Sequence, residues 1–173
     1  MRFVTAVPWF PAGMAVTVVL GALLGGRVAR RLGAPTALGW VLVLSLGLVL
    51  AATLTPQREA LDYGAISVGS CDLSRMGLAP LSAFRGFNDT SVNVLVFLPL
   101  GTAIGLIPRS RAKAAVVGAA ILLPFAIELT QLLVPALDRG CQSADVIDNL
   151  TGLAVGSVVG SFAGWLGARL SAP

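Results

Sequence analysis

Five apolar runs dominate the chain, at about 9–26, 36–55, 92–107, 115–134 and 149–168. Each approaches the roughly 20 residues that cross a bilayer core as a helix. Inside hydrocarbon every backbone polar group must be satisfied within the chain, so runs of this length fold as helices. Only 12% of the 173 residues are charged, against about a quarter in soluble domains. These features predict an all-α, polytopic membrane protein of about five transmembrane helices, forming one membrane domain over 1–173. The rival is four spans with the first or third run re-entrant, since the third is the shortest and carries Pro99 and Gly101. A cleaved signal peptide fits the first run poorly, because Arg27, Arg30 and Arg31 follow the apolar stretch instead of preceding it.

The charges sort by loop. Arg27, Arg30 and Arg31 sit in one short loop, and Arg109, Arg111 and Lys113 in another. Neither loop holds an acid, and the tail adds Arg169. The alternate loops mix Arg2, Arg58, Arg75, Arg85 and Arg139 with seven acids. The positive-inside rule places the purely basic loops in the cytoplasm. That predicts an outer N-terminus, a cytoplasmic C-terminus and an extracellular loop over 56–91. The net charge of +4 does not indicate nucleic-acid binding, because the basic residues flank spans and form no patch interleaved with aromatics.

Cys71 and Cys141 are the two cysteines. In this topology both fall on the outer side, where a disulfide persists. The alternative is two free thiols. Two cysteines without histidine or a C-x-x-C pair leave a zinc site short of ligands. The loop segment "MGLAPLSAF", Met76 to Phe84, is apolar enough to lie on the membrane surface.

In the fifth run Gly152, Gly156, Gly160 and Gly164 recur every four residues. On a helix they share one face, and small residues let membrane helices approach closely. The partner is left open among the third run, the fourth run and a second copy. Pro99 and Pro124 each fall inside a run and are expected to kink it.

The polar residues converge on one level. Glu128 lies within the fourth run, and an acid at such depth is a functional candidate. Gln131 follows on the same helical face. Asp145, Asp148 and Asn149 share a face at the start of the fifth span, Asn93 opens the third, and Arg139 lies in the connecting turn. The expected picture is a polar pocket at the outer leaflet, with candidate ligand-binding residues Asn93, Glu128, Gln131, Arg139, Asp145, Asp148 and Asn149. Bland readings stand beside this. Ser143 is a natural N-cap, Asp145 suits a first helical turn, Asn93 suits a cap, and Arg139 could pair with Glu128 or an aspartate.

The stretches "NVLVFLPLG" (Asn93 to Gly101), "IELTQ" (Ile127 to Gln131) and "DRGCQSADVIDNLTGLAVG" (Asp138 to Gly156) resemble the VanZ-like family of small bacterial membrane proteins. Its named member is associated with teicoplanin resistance. The family motifs fall in 93–156. The resemblance implicates Asn93, Pro99, Gly101, Glu128, Gln131, Arg139, Asp145, Asp148, Asn149, Gly152 and Gly156. Spans one and two match only in general hydrophobicity. Many members place the two acids side by side, whereas here Asp145 and Asp148 are separated. The resemblance implies a bacterial cell membrane and tolerance to glycopeptides that carry a lipid chain.

Three functions follow from these residues. The first is a binding module for a membrane lipid or lipid-linked envelope precursor. The second is an enzyme on a lipid-linked substrate, with Glu128 as base and Asp145 and Asp148 as oxygen ligands for a divalent cation. The absence of histidine excludes Ser-His and metal-His sites. The third is a small proton-coupled transporter, which Glu128 alone supports weakly because no chain of ionisable groups crosses the spans. No other cofactor is implied, and oligomeric state is open.

Overall fold

The computed structural model describes residues 6–63 and 70–171. Arg2 of the charge pattern lies outside them. Five helices are long and apolar enough to cross a membrane: α1 (Phe10–Leu32), α2 (Thr36–Thr53), α4 (Asp89–Leu106), α5 (Arg111–Leu133) and α6 (Ser143–Leu170). The short α3 (Arg58–Tyr63), strand β1 (Cys71–Asp72) and a 3-10 turn (Leu81–Phe84) lie between α2 and α4. A second 3-10 turn (Pro135–Leu137) and strand β2 (Cys141–Gln142) join α5 to α6. The expected all-α, five-span architecture is the one observed.

The third run is not re-entrant. It forms a continuous helix with Pro99 inside it. Pro124 is likewise held within an unbroken α5. Start signals are local. The Asn88 side chain accepts the Ser91 N–H at 3.0 Å, and Ser110 Oγ accepts the Lys113 N–H at 3.1 Å. Asn88, not Asn93, is therefore the cap of α4. Lys113 Nζ donates to the carbonyls of Gly105 and Ile107 at 2.9 and 2.8 Å, closing the C-terminal end of α4 with a cation. Gly33 ends α1 with φ 62°, in the left-handed region where glycine is at home.

Two glycine seams hold the bundle. In the first, α1 and α2 form an antiparallel hairpin. A Cβ on Gly39 would strike the Gly25 carbonyl, one on Gly47 would strike Thr17, and one on Gly13 would meet Ala51. In the second, α6 lies along α4. A Cβ on Gly152, Gly156 or Gly160 would strike the carbonyl oxygen of Val94, Leu98 or Thr102 respectively. Each step of four on one helix matches a step of four on the other, so α4 and α6 run parallel. Gly101 and Gly105 return the contact, against the carbonyls of Leu153 and Ser157. The partner of the glycine stripe is thus the third span. Gly164 stands at the looser end, with only the Leu106 side chain nearby. Without a hydrophobic force between helices in lipid, this backbone approach is what packing can exploit.

A buried apolar cluster ties the two pairs together. Val49 of α2, Phe97 and Ile104 of α4, Ile127 of α5 and Leu153 of α6 all belong to it. Large apolar side chains on the outer helix faces, such as Leu23, Leu122, Val158 and Phe162, remain exposed. In water such surface would be costly; against lipid tails it carries no penalty.

Cys71 and Cys141 are joined by a disulfide. The same two residues face each other in the parallel pairing of β1 with β2. The loop after α2 is thereby pinned to the turn before α6.

Candidate functional site

At the disulfide end of the bundle the helices part around a cavity of about 330 Å³. α2 contributes its last turn, with Thr53. α4 contributes Asp89 and Asn93, α5 contributes Glu128 and Gln131, and α6 contributes Asp145 and Asn149. Arg139 and Gln142 close it from the connecting segment. Six of the seven candidate residues line this one space: Asn93, Glu128, Gln131, Arg139, Asp145 and Asn149.

Glu128 is 5% exposed. Its Oε2 accepts the backbone N–H of Gln142 at 2.7 Å. Gln142 is the N-cap of α6 and supplies no side-chain cap. The carboxylate of one helix therefore satisfies an amide at the N-terminus of the next, where the helix dipole favours negative charge. Ser143 does not cap α6, contrary to its sequence position. It is the first helical residue, and its Oγ donates to the carbonyls of Asp72 and Arg75 in the pinned loop.

Gln131 Nε2 donates to the Thr53 carbonyl at 3.0 Å, satisfying an end carbonyl of α2. Arg139 Nε donates to the Thr55 carbonyl at 3.2 Å. Arg139 makes no ion pair within the described residues, so the alternative reading of a pair with Glu128 or an aspartate is not what the structure has. Glu128 and Asp145 act on it only across a distance. Burial pulls its guanidinium below the ordinary arginine value, and those two carboxylates partly hold it up. Asn93 and Asp145 both line the cavity, from α4 and α6.

Three buried polar atoms have no partner among the described residues: Gln131 Oε1, Arg139 Nη2 and Asn149 Oδ1. All three belong to cavity-lining side chains. Gln131 is 7% exposed and Asn149 1%. A buried polar atom left unpaired costs about 1–3 kcal/mol, and three of them are on the lining of this one space.

Asp148 stands apart. It is 2% exposed and does not line the cavity. Its carboxylate is paired with Arg75, whose guanidinium also donates to the carbonyls of Ala144 and Gly77. The sequence reading assigned Asp148 to the pocket and missed Arg75. Its signal was indirect, because Arg75 lies four residues after the cysteine that the disulfide carries to the start of α6. With Asp148 committed to Arg75, the Asp145–Asp148 pair is poorly suited to a cation. Within the described residues no three Asp, Glu, Cys or His side chains gather as a metal site.

No curated protein and no solved structure matches the chain. The family model for VanZ/LLP1 matches residues 41–164. The match takes in α4 and α5 whole, most of α2 and α6, the disulfide and every residue discussed around the cavity. This multi-pass membrane protein therefore belongs to the VanZ/LLP1 family.

Proposed function

We propose that the chain is a cell-envelope protein whose cavity opens toward the outer leaflet and binds the polar part of a lipid-linked or surface ligand. The observation that supports this is the set of three unpartnered buried atoms on Gln131, Arg139 and Asn149, all on the lining of one cavity. The orientation rests on charge. The acid-free loops that follow Arg30 and Arg31 in the last turn of α1, and that carry Arg109 ahead of Arg111 at the start of α5, connect the helices at the end opposite the cavity. With those loops in the cytoplasm of a bacterial cell membrane, the cavity and the disulfide face outward.

Membership of the family points to a physiological consequence, tolerance to a lipoglycopeptide such as teicoplanin. The test is susceptibility to teicoplanin and vancomycin in a sensitive Gram-positive host. The host expresses this chain, its Glu128→Gln variant, or neither. Selective protection against the lipid-bearing drug by the intact chain, and not by the variant, is the expected result. Equal susceptibility of all three strains, with the protein detected in the membrane, would overturn the resistance role.

A further inference from the structure

Beside the polar cavity lies a second, apolar groove of about 490 Å³. Phe125, Leu129 and Leu132 of α5 form one wall, and Val146, Ile147 and Leu150 of α6 form the other. Leu73 and Met76 from the pinned loop close one end. Glu128 and Gln142 line both spaces. A polar and an apolar compartment therefore meet at one carboxylate.

The polar compartment is rich in acceptors. Among the described residues, Asp89, Glu128 and Asp145 bring three carboxylates to it, against the cation of Arg139. Arg75 is paired with Asp148 and lies outside the lining, so it adds no free donor to the space. The unpartnered oxygens of Gln131 and Asn149 add two more acceptors, from side chains more than nine-tenths buried. Among the described residues, the one unpartnered buried side-chain donor is Arg139 Nη2. An ammonium group has three donors and no acceptor. It complements this excess, and an anionic oxygen on the same head complements Arg139.

We infer that the two compartments form one site for a lipid of the surrounding leaflet, with a primary ammonium head in the cavity and an acyl chain in the groove. This deepens the proposed function and rests on its reading of the cavity. The adjacency at Glu128 and Gln142 lets one molecule fill both spaces. The size of the groove falls within the range of ligand pockets, about 300–1,000 Å³.

The test uses the purified full chain in detergent, with the thermal unfolding midpoint followed against added ligand. The probes are lysophosphatidylethanolamine, lysophosphatidylcholine, lysophosphatidylglycerol and chain-free phosphoethanolamine. The ethanolamine lysolipid is expected to act at about tenfold lower concentration than the other two lysolipids, the scale of one charged hydrogen bond. Asp145→Asn should erase that preference. Leu129→Trp, which fills the groove, should leave the response to phosphoethanolamine and remove the advantage of the chain. Equal action of the three lysolipids overturns the ammonium site. Equal action of phosphoethanolamine and its lysolipid overturns the groove. Either failure leaves the drug-susceptibility result standing, and loss of that phenotype leaves the lipid titration readable.

Discussion

Glu128 of α5 and Gln142 at the start of α6 are joined by a 2.7 Å hydrogen bond from the Gln142 amide to Glu128 Oε2. The bond crosses from one span to the next and sits where the polar cavity and the apolar groove touch. It gives a deep carboxylate a structural task as well as a place on the cavity wall. The two tasks separate on substitution. Glu128→Gln retains an oxygen to accept the amide, while Glu128→Ala retains none. The alanine variant should lose about 1–3 kcal/mol of stability, and the glutamine variant clearly less. Thermal unfolding of both proteins in one detergent checks the order.

The α4–α6 seam predicts intolerance to a single methyl group. A Cβ at Gly156 or Gly160 meets backbone carbonyls that cannot rotate away. Gly156→Ala and Gly160→Ala should each cost at least about 1–3 kcal/mol, the scale of overpacking. Gly118→Ala, at a position with open space around it, should be neutral or slightly stabilising. Unfolding midpoints of the three variants decide this.

Removing Arg75 strands a buried carboxylate. Breaking a buried pair costs about 3–5 kcal/mol, and the partial exposure of Arg75 brings the expectation to the lower end of that range or below. Arg75→Gln should therefore destabilise more than Arg75→Gln combined with Asp148→Asn. A double-mutant cycle in thermal stability measures the coupling, and additive effects would show that the pair contributes nothing.

The disulfide closes a separation of 70 residues. In the chain-entropy model a closure of that length is worth about 4 kcal/mol. Reductant should lower the unfolding midpoint of the native protein. The Cys71→Ser, Cys141→Ser double variant should start at the lower value and ignore reductant. Mass measurement with and without thiol alkylation confirms the redox state in each case.

The sequence carried some of these features and not others, for physical reasons. The spans were readable because hydrocarbon imposes length and composition directly. Their ends are not, since the apolar runs begin at about 92 and 149 whereas the helices begin at Asp89 and Ser143. The glycine stripe of α6 announced a close contact, but the complementary Gly101 and Gly105 were needed to name α4 as its partner. Gly13, Gly39 and Gly47 passed unnoticed because their spacing across two helices forms a pattern only once the hairpin is folded. Glu128, Gln131, Arg139, Asp145 and Asn149 fall within one sequence window, on two helices and their connection, so their convergence is legible; Asn93 reaches the cavity from α4, outside that window. The Arg75–Asp148 pair was not, because only the disulfide brings residues that distant together.

The seam between α4 and α6 also has a mechanical meaning. Two backbones interlocked at Gly101, Gly105, Gly152, Gly156 and Gly160 cannot slide by less than a whole turn without collision. They are packed as a single keel. α5 has no such lock; it rests on side chains alone and meets its neighbours at far fewer points. Glu128 and Gln131 ride on that helix. The contacts least able to resist a change in the cavity's width are therefore those of α5, the plank beside that keel.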